Sequence, residues 1–529
     1  MTAQSDAIET IKSGYTFTTP SIDLGVLMVD GQPDPDVRVR ISLSMLNRHG
    51  LVAGATGTGK TRTLQLMAEQ ISDAGVSVFA ADIKGDLSGI AIPGTPSDKL
   101  TARTQAIGQD WKPAGHPTEF YALGGQGTGV PLRATVSSFG PILLSKVLGL
   151  NETQESSLGL VFHYADTAGL PLLDLADLRE VLVYLTADEG KADLKNIGGL
   201  SSATAGVILR SLVTLQTQGA DEFFGEPEFD TRDLIRQSDG KGVISLLELP
   251  NLQDRPAIFS TFLMWLLADL FHDLPEIGDV DVPKLVFFFD EAHLLFDGAS
   301  KAFLDAIAQT VRLIRSKGVG IFFVTQSPTD VPDNVLAQLG SRVQHQLRAH
   351  TPNDAKALKA TVQTYPTSQY DLAETLQALG IGEAIVTVLN PDGAPTPVAW
   401  TRMLAPLASM GPMPADWMTK GVAASAMQAK YGQAINRDSA YEMLARKLEA
   451  GAAKAQAEAD AAQQAKEQAA QAKAQAAQDR AEAPRAPRTS SRPAPKSGVE
   501  KVLGSATFWN QVIRVGGQVV RTMWGTARR

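Results

Sequence analysis

The amino-acid sequence predicts an α/β fold with a mainly parallel sheet, and three observations support that prediction. Short apolar runs of strand length alternate with segments of helical periodicity from about residue 46 onward. A glycine-rich loop, Gly54 to Thr61, joins the first apolar run to the first helical segment. A later apolar run, Leu285 to Phe289, ends in the carboxylates Asp290 and Glu291. Strands that alternate with helices become parallel neighbours, so their carboxyl ends share one edge of the sheet.

Length and composition indicate a globular protein with a large core. The chain has 529 residues, of which 44 % are hydrophobic and 20 % charged, and roughly 100–200 residues per domain gives two to four units. It contains no cysteine, which excludes disulfides and thiolate metal sites. Apolar runs of signal-peptide or membrane-spanning length are lacking, so we expect a cytoplasmic protein without a transmembrane segment.

Charge is distributed unevenly along the chain. The net charge is −9, which argues against a simple electrostatic nucleic-acid binder. Residues 485–529 hold nine basic residues against the single acid Glu500, a net +8, which leaves −17 for the remainder.

The first 99 residues divide into two predicted parts. Residues 1–45 form an N-terminal β element, with strand-like stretches at Leu24–Val29 and Val37–Leu43 around a turn rich in Asp and Pro. Residues 46–99 form the first part of the core. Its predicted elements are the strand Leu51–Ala53, the glycine-rich loop, a helix carrying Leu64, Met67, Ala68 and Ile71 that stops at Gly75, and the strand Val76–Ala81, which ends at Asp82.

Residues 100–235 break the α/β alternation, and we interpret them as a mainly helical insertion. Helical periodicity is present at Pro141–Leu150, Gln154–Thr167, Asp177–Thr186 and Ala203–Gln218. The second part of the core, residues 236–435, resumes the alternation. Its predicted elements are strands at Val243–Leu249, Leu285–Phe289, Val319–Val324, Arg342–Leu347, Ala384–Val388 and Thr396–Trp400, with helices at Ala257–Phe271 and Lys301–Ser316.

The C-terminal region changes character in three steps. Residues 436–483 are rich in Ala, Gln, Glu and Lys, which favours either a solvated, partly disordered helix or a partner-bound coiled coil. Residues 484–498 are rich in Pro, Arg and Ser and are typical of a flexible linker. Residues 499–529 form a basic amphipathic segment with Trp509 and Trp524. This segment either lies on an anionic membrane surface or packs against the core or a protein partner.

The glycine-rich loop has the pattern of a phosphate cradle. It consists of Gly54, Ala55, Thr56, Gly57, Thr58, Gly59, Lys60 and Thr61. The glycines let backbone N–H groups point at phosphate oxygens, and the following helix adds its positive end. Lys60 is expected to reach the β- and γ-phosphates, and the Thr61 hydroxyl to bind Mg²⁺. The alternative, a purely structural glycine turn, does not explain all eight positions between a strand and a helix. The sequence therefore predicts a P-loop ATPase with ATP and Mg²⁺ as its cofactors.

The acidic pair after the apolar strand predicts hydrolysis. Asp290 is expected to hold Mg²⁺ through water, and Glu291 to polarise the attacking water as general base. The alternative is a pair of solvated acids at a strand end. His293 is compatible either with coupling the nucleotide state to a partner or with a structural hydrogen bond.

A third strand and several basic residues supply further candidates. Val319–Val324 leads to Gln326, which could orient water or sense the loss of the γ-phosphate; the alternative is a plain loop glutamine. The transition state also needs positive charge, and Arg342 is the preferred arginine because it follows this strand closely. The other candidates are Arg312, Arg315 and Arg348, with Asp82 and Lys84 at the edge of the site; each could equally be a surface or ion-pairing residue.

Five stretches of the chain resemble the HerA/FtsK superfamily of ATP-driven DNA translocases, and among them the bacterial HerA-like proteins of the YjgR type. They are residues 47–61, 82–89, 285–296, 311–326 and 338–345, and the likeness runs from about residue 20 to 435. The resemblance implies a RecA-like core, a hexamer and an arginine finger between subunits. It also implies phosphate and Mg²⁺ binding by Lys60 and Thr61, a second acidic motif at Asp290 and Glu291, and a sensor at Gln326, with Arg342 as the chosen finger.

Two functions of different classes follow. The first is a hexameric ATP-hydrolysing DNA translocase or helicase-like motor with hydrolysis at subunit interfaces. The second is an ATPase that acts on protein instead of DNA, as a switch or assembly factor, with residues 499–529 as its candidate contact with a membrane surface. The acidic balance of the core favours the second function, and the resemblance favours the first.

Overall fold

A computed structural model of the protein describes residues 2–124, 126–194, 198–249, 256–297 and 299–482. Its main feature is a twelve-stranded sheet in the order β2-β1-β14-β13-β12-β3-β11-β10-β4-β9-β5-β6. The strands are β1 (Ser21–Val29), β2 (Gln32–Ser42), β3 (Gly50–Ala53), β4 (Ser77–Asp82), β5 (Thr118–Leu123), β6 (Val130–Leu132), β7 (Gln237–Ser238), β8 (Lys241–Gly242), β9 (Ile244–Glu248), β10 (Leu285–Phe289), β11 (Val319–Thr325), β12 (Ser341–Gln344), β13 (Glu383–Thr387) and β14 (Ala399–Met403). Strands β7 and β8 form a separate two-stranded ribbon.

Helices cover both faces of this sheet. They are α1 (Thr2–Gly14), α2 (Lys60–Asp73), α3 (Asp98–Ala106), α4 (Val136–Val147), α5 (Glu152–Thr167), α6 (Leu175–Thr186), α7 (Asp188–Lys191), α8 (Ser202–Thr217), α9 (Pro256–Asp273), α10 (His293–Phe296), α11 (Lys301–Ile314), α12 (Asp333–Leu336), α13 (Pro352–Val362), α14 (Leu372–Ala378), α15 (Ala415–Ala424), α16 (Ala426–Tyr431) and α17 (Ala440–Glu482).

The central strands are parallel and buried on both sides. From β12 to β6 every neighbouring pair of strands is parallel. Alternate residues of β10 belong to different cores: Phe287 and Phe289 pack into one, Val286 and Phe288 into the other. A strand with two buried faces needs a continuous apolar sequence, which is why these runs were recognisable. The predicted α/β class with a mainly parallel sheet is confirmed.

The first 45 residues are part of the main sheet. β1 pairs with β2 and with β14, and β14 continues through β13 to β12, all antiparallel. The two expected strands therefore extend the sheet that carries the glycine-rich loop. Helix α1 before them was not expected from the sequence.

The segment 100–235 contributes to the sheet as well as to a helical layer. Helices α4, α5, α6 and α8 lie where periodicity predicted helices. Strands β5 and β6 also lie in this segment, and they extend the sheet beyond β9. The interpretation of residues 100–235 as a mainly helical insertion did not include these two strands, which follow no clear period in the sequence.

The described residues up to 449 form one compact unit, and the described residues from 450 to 482 belong to a second. The predicted C-terminal helix is present as α17, whose side chains from 450 to 479 are exposed. No helix of the described ranges combines the length and the apolar character needed to span a membrane. The linker predicted at 484–498 and the amphipathic segment predicted at 499–529 lie outside the described residues.

Candidate nucleotide-binding and hydrolysis site

The glycine-rich loop is held between two strands of the sheet. It starts where β3 ends and finishes where α2 begins at Lys60. The Gly54 N–H donates to the carbonyl of Thr325 at 3.2 Å, and the Ala55 N–H donates to the carbonyl of Gln346 at 2.8 Å. Gly57 and Gly59 have φ angles of +82° and +118°, a region that side-chain-bearing residues rarely adopt. The loop therefore has the curled backbone that a phosphate cradle requires.

Lys60 lies folded into this loop. Its Nζ donates to the carbonyl of Gly54 at 2.6 Å and to that of Ala55 at 3.2 Å, and the residue is 7 % exposed. Burial lowers the pKa of the Lys60 ammonium. These carbonyls are weak, neutral acceptors, so phosphate oxygens would be better partners for the same ammonium.

A buried histidine supports the loop from behind. The His345 Nδ1 atom lies 2.8 Å from the carbonyl oxygen of Glu383, and its Nε2 lies 2.9 Å from the Thr63 hydroxyl. Because a carbonyl can only accept, Nδ1 carries the proton and Nε2 accepts from Thr63. Burial lowers the pKa of His345 to about 4, which keeps the ring neutral. A Cβ added to Gly54 would lie 2.5 Å from the His345 Cβ, so the close approach of His345 also explains the glycine.

Asp290 is delivered to the same edge of the sheet by β10. Its Oδ1 accepts the N–H of Glu291 at 2.9 Å, and its Oδ2 is buried without a hydrogen-bond partner among the described residues. Burial, and then the neighbouring charge of Glu291, raise the pKa of Asp290 to about 7. A buried carboxylate oxygen without a donor fits a site that takes up a cation or a metal-bound water.

Glu291 lies at the centre of a charged network. It has a left-handed φ of +47°, a backbone conformation that residues other than glycine seldom adopt. Its Oε1 forms an ion pair with Lys84, and its Oε2 lies 3.2 Å from His293 Nδ1. Burial alone would raise the pKa of Glu291, but the hydrogen bond and charge of Lys84 outweigh burial, so the pKa is lowered. The carboxylate thus stays charged.

The turn after β4 explains how Lys84 reaches this acid. The Asp82 carboxylate accepts the N–H groups of Gly85 and Leu87, both at 2.7 Å. This cap fixes the turn that carries Lys84. Burial raises the pKa of Asp82 to about 6. The sequence placed both residues only at the edge of the site; the ion pair with Glu291 required the fold.

Gln326 directly follows β11 and faces the network. Its amide contributes to lowering the pKa of Glu291. It also lines a cavity of about 510 Å³, together with His293, Phe296, Asp297, Thr329, Asp330 and Pro332. The structure therefore brings together Lys60, Glu291 and Gln326 at one edge of the sheet, as the sequence predicted.

Arg342, the preferred candidate for the arginine finger, does not lie at the end of its strand. Arg342 is the second residue of β12 and lies opposite Leu51 of the parallel strand β3, so it precedes the carboxyl edge instead of lying on it. Its guanidinium hydrogen-bonds the Thr364 hydroxyl and lies 5.8 Å from the ring centroid of Tyr365. The structure therefore does not bring Arg342 to the sheet edge that carries the loop of its own chain, and its role as a finger between subunits stays a prediction.

The other candidate arginines fall in two places. Arg348 donates to the carbonyl of Thr56 in the glycine-rich loop at 3.3 Å. Arg315 pairs with Asp279 at 3.5 Å, and Arg312 is exposed near the end of α11. Arg348 is therefore the arginine in contact with the loop of its own chain.

Mg²⁺ fits this donor set. The described residues contain no cluster of three His, Asp or Glu side chains arranged to hold a metal ion. Mg²⁺ is commonly bound by one or two protein groups, by water and by substrate phosphates. Thr61, in the first turn of α2, and the unpartnered oxygen of Asp290 match that requirement.

This fold and site define a P-loop ATPase that uses ATP and Mg²⁺. The particular family is given by comparison with known proteins. The model of the helicase HerA-like C-terminal family matches residues 28–529, and the chain belongs to that family. This family assignment confirms the resemblance to HerA-like proteins that the five sequence stretches indicated.

The chain is also similar to individual relatives and to a solved structure. The chain is 24 % identical over 377 residues to the DNA double-strand break repair helicase HerA of Sulfurisphaera tokodaii, covering 70 % of this chain and 67 % of the relative. It is 22 % identical over 406 residues to the same helicase of Pyrococcus furiosus, covering 70 % and 68 %. The plasmid coupling protein TrwB in complex with ADP and Mg²⁺ is 15 % identical, with a TM-score of 0.49, covering 76 % of this chain and 93 % of that one. The chain thus spans about two thirds of the curated relatives' length.

Proposed function

We propose that this ATPase is a HerA-like motor that assembles as a hexamer, hydrolyses ATP at subunit interfaces and moves along DNA. The observation that carries the proposal is the network of Lys84, Glu291 and Gln326, which lies at the same sheet edge as Lys60. A phosphate cradle alone would bind ATP but would not hydrolyse it. A charged, buried carboxylate beside the cradle supplies the base that hydrolysis needs.

The roles of the side chains follow from their contacts. Lys60 exchanges the Gly54 carbonyl for the β- and γ-phosphates. Thr61 and, through water, Asp290 would hold Mg²⁺, which would supply positive charge beside the phosphates. Glu291 accepts the proton of the attacking water, and Gln326 orients that water. The new bond joins water oxygen to the γ-phosphorus, and the bond to the β–γ bridging oxygen breaks.

The arginine that completes the site comes from a neighbouring subunit in this proposal. Within its own chain, Arg342 contacts Thr364 and Tyr365. It lies opposite Leu51 of β3, before the end of that strand where the glycine-rich loop begins. We assign the finger role to Arg342 across the interface, where it would stabilise charge on the leaving phosphate.

DNA as the track is supported by the relatives, whose names describe DNA double-strand break repair helicases. The alternative function is an ATPase that remodels protein assemblies. It is favoured by one observation, the −17 balance of the chain outside residues 485–529, which repels phosphate backbones.

The two functions are separated by the ATPase rate with and without DNA. A DNA motor is expected to hydrolyse ATP faster with double- or single-stranded DNA. Its DNA affinity should also fall steeply between about 50 mM and 200 mM salt, because basic residues release counterions. A Lys60→Ala variant measured in parallel controls for contaminating ATPases. If DNA neither accelerates hydrolysis nor binds in a salt-dependent way, the DNA-motor proposal is refuted and the alternative remains.

A further inference from the structure

An exposed apolar side chain lies next to the phosphate cradle. Ile381 is 73 % exposed, the highest value among the exposed large hydrophobic residues. It lies in the short turn between α14 and β13. Isolated exposed apolar residues are common, so the position of Ile381, and not its exposure, is what requires an explanation.

The turn is fastened to the cradle by its backbone. The Gly382 N–H donates to the carbonyl of Thr58 at 2.9 Å. A Cβ added to Gly59 would lie 3.3 Å from the Cα of Gly382, so the two chain segments touch. From the other side, Arg103 donates to the Gly382 carbonyl at 3.0 Å. Ile381 is thus held at a fixed distance from the loop that binds the phosphates.

The turn also lies on a defined side of the loop. In the sheet, β3 has β11 on one side, followed by β10, and β12 on the other, followed by β13. Glu291 and Gln326 follow β10 and β11, so a bound nucleotide would direct its γ-phosphate to that side. A triphosphate is a linear chain, and its nucleoside would leave from the opposite end. That end would face β13 and Ile381.

We infer that Ile381 is the apolar platform on which the purine base of ATP lies. The inference rests on the proposed function, since it places the rest of the same nucleotide. A purine face is apolar and stacks on branched aliphatic side chains, and binding sites for such ligands combine apolar walls with a few fixed polar groups. Arg402, whose Nη1 is bound to Glu383 at 2.8 Å, lies beside the turn as such a fixed polar group.

The inference is tested by comparing a ligand that has the base with one that lacks it. The full chain and the variant Ile381→Ala are titrated with ATP and with inorganic tripolyphosphate, both with Mg²⁺, and binding is followed calorimetrically. Loss of apolar contact should raise the Kd for ATP about fivefold to tenfold, and the Kd for tripolyphosphate should stay the same. Ile381→Phe, which offers a flat ring to the base, should restore ATP affinity.

A matched control is Ile142→Ala, which removes another exposed isoleucine, on helix α4, and should change neither Kd. Equal weakening of both ligands by Ile381→Ala would overturn the inference, because the cradle itself would then be distorted. Unchanged ATP affinity would also overturn it; a simultaneous shift in sedimentation would then assign Ile381 to a contact between subunits. If the unaltered chain binds neither ligand, the proposed function fails instead.

Discussion

At the scale of the single residue, the ion pair of Lys84 with Glu291 determines the charge of the expected base. Lys84 holds the pKa of Glu291 below its ordinary value against the effect of burial. Replacing Lys84 by Met should therefore raise the pKa of Glu291. The general base would then be protonated at a higher pH, and the acidic limb of the kcat/KM profile should move upward in pH.

Lys112→Met serves as the control for this experiment, because Lys112 also pairs with an acid, Asp110, but at an exposed site. Its acidic limb should coincide with that of the unaltered protein. An unmoved limb in Lys84→Met would show that Lys84 does not set the ionisation of the base.

Two further substitutions separate binding from chemistry. Glu291→Gln keeps the shape of the side chain but cannot accept a proton, so ATP should bind while phosphate release falls about 10²- to 10³-fold. Lys60→Ala removes the ammonium that the loop surrounds and should abolish measurable ATP binding. Equilibrium binding and a phosphate-release assay measure these effects. Normal turnover in either variant would contradict the assignment.

At the scale of the element, the apolar strands were predictable and the supports of the loop were not. Leu285–Phe289 is buried on both faces. Its continuous apolar sequence was sufficient to predict the strand and the two acids, Asp290 and Glu291, that follow it. β5 and β6 were missed because a three-residue strand such as Val130–Leu132 has no readable period. The turn at Gly382 contacts Thr58 of the loop, and these two residues are more than 320 positions apart in the sequence. No local sequence pattern predicts such a contact. His345 likewise acts only through Thr63 and Glu383.

The support of the loop by His345 should depend on pH. The folded pKa of about 4 lies below the usual 6.5, so the unfolded chain binds a proton that the folded chain does not. The contribution of His345 is therefore complete above pH 6.5 and declines as the pH falls toward 4. The destabilisation caused by His345→Gln should shrink by about 2 kcal/mol between pH 6.5 and 5.

Urea unfolding of both proteins at each pH measures this difference, and comparison of pH 7 with pH 8 is the internal control, since no change is expected there. A destabilisation that stays constant from pH 6.5 to 5 would show that His345 is not kept neutral by the fold.

At the scale of the whole molecule, assembly stays a prediction that rests on the family resemblance. Within one chain, Lys60 and Glu291 share one edge of the sheet, whereas Arg342 lies before that edge and packs against Tyr365, so the proposed finger would have to come from a neighbouring subunit. No periodicity or composition could have shown this, because it depends on the direction of β12 relative to β3.

The proposed hexamer leads to a prediction about mixed rings. Arg342→Ala should lower kcat by at least about 10³-fold if the guanidinium acts as a finger, and Lys60→Ala should be inactive. When the two variants are co-expressed, an Arg342→Ala subunit can bind ATP and receive the intact Arg342 of a Lys60→Ala neighbour. Random rings then contain the complete combination at about one quarter of their head-to-tail interfaces, so activity should return to that fraction.

Two pairings control for effects that need no shared site. Lys60→Ala with Glu291→Gln removes groups of the same subunit's site, and such rings should stay inactive. Co-expression of Lys60→Ala with Arg348→Ala should give no more ATPase activity than the Arg348→Ala subunits in the mixture supply by themselves. The reason is that Arg348 contacts Thr56 of its own loop, so a neighbour's Arg348 cannot replace it. If Lys60→Ala and Arg342→Ala fail to complement each other while the co-expressed rings still form, Arg342 does not act between subunits. The finger would then have to be sought at Arg312 or Arg315, by the same complementation with Lys60→Ala.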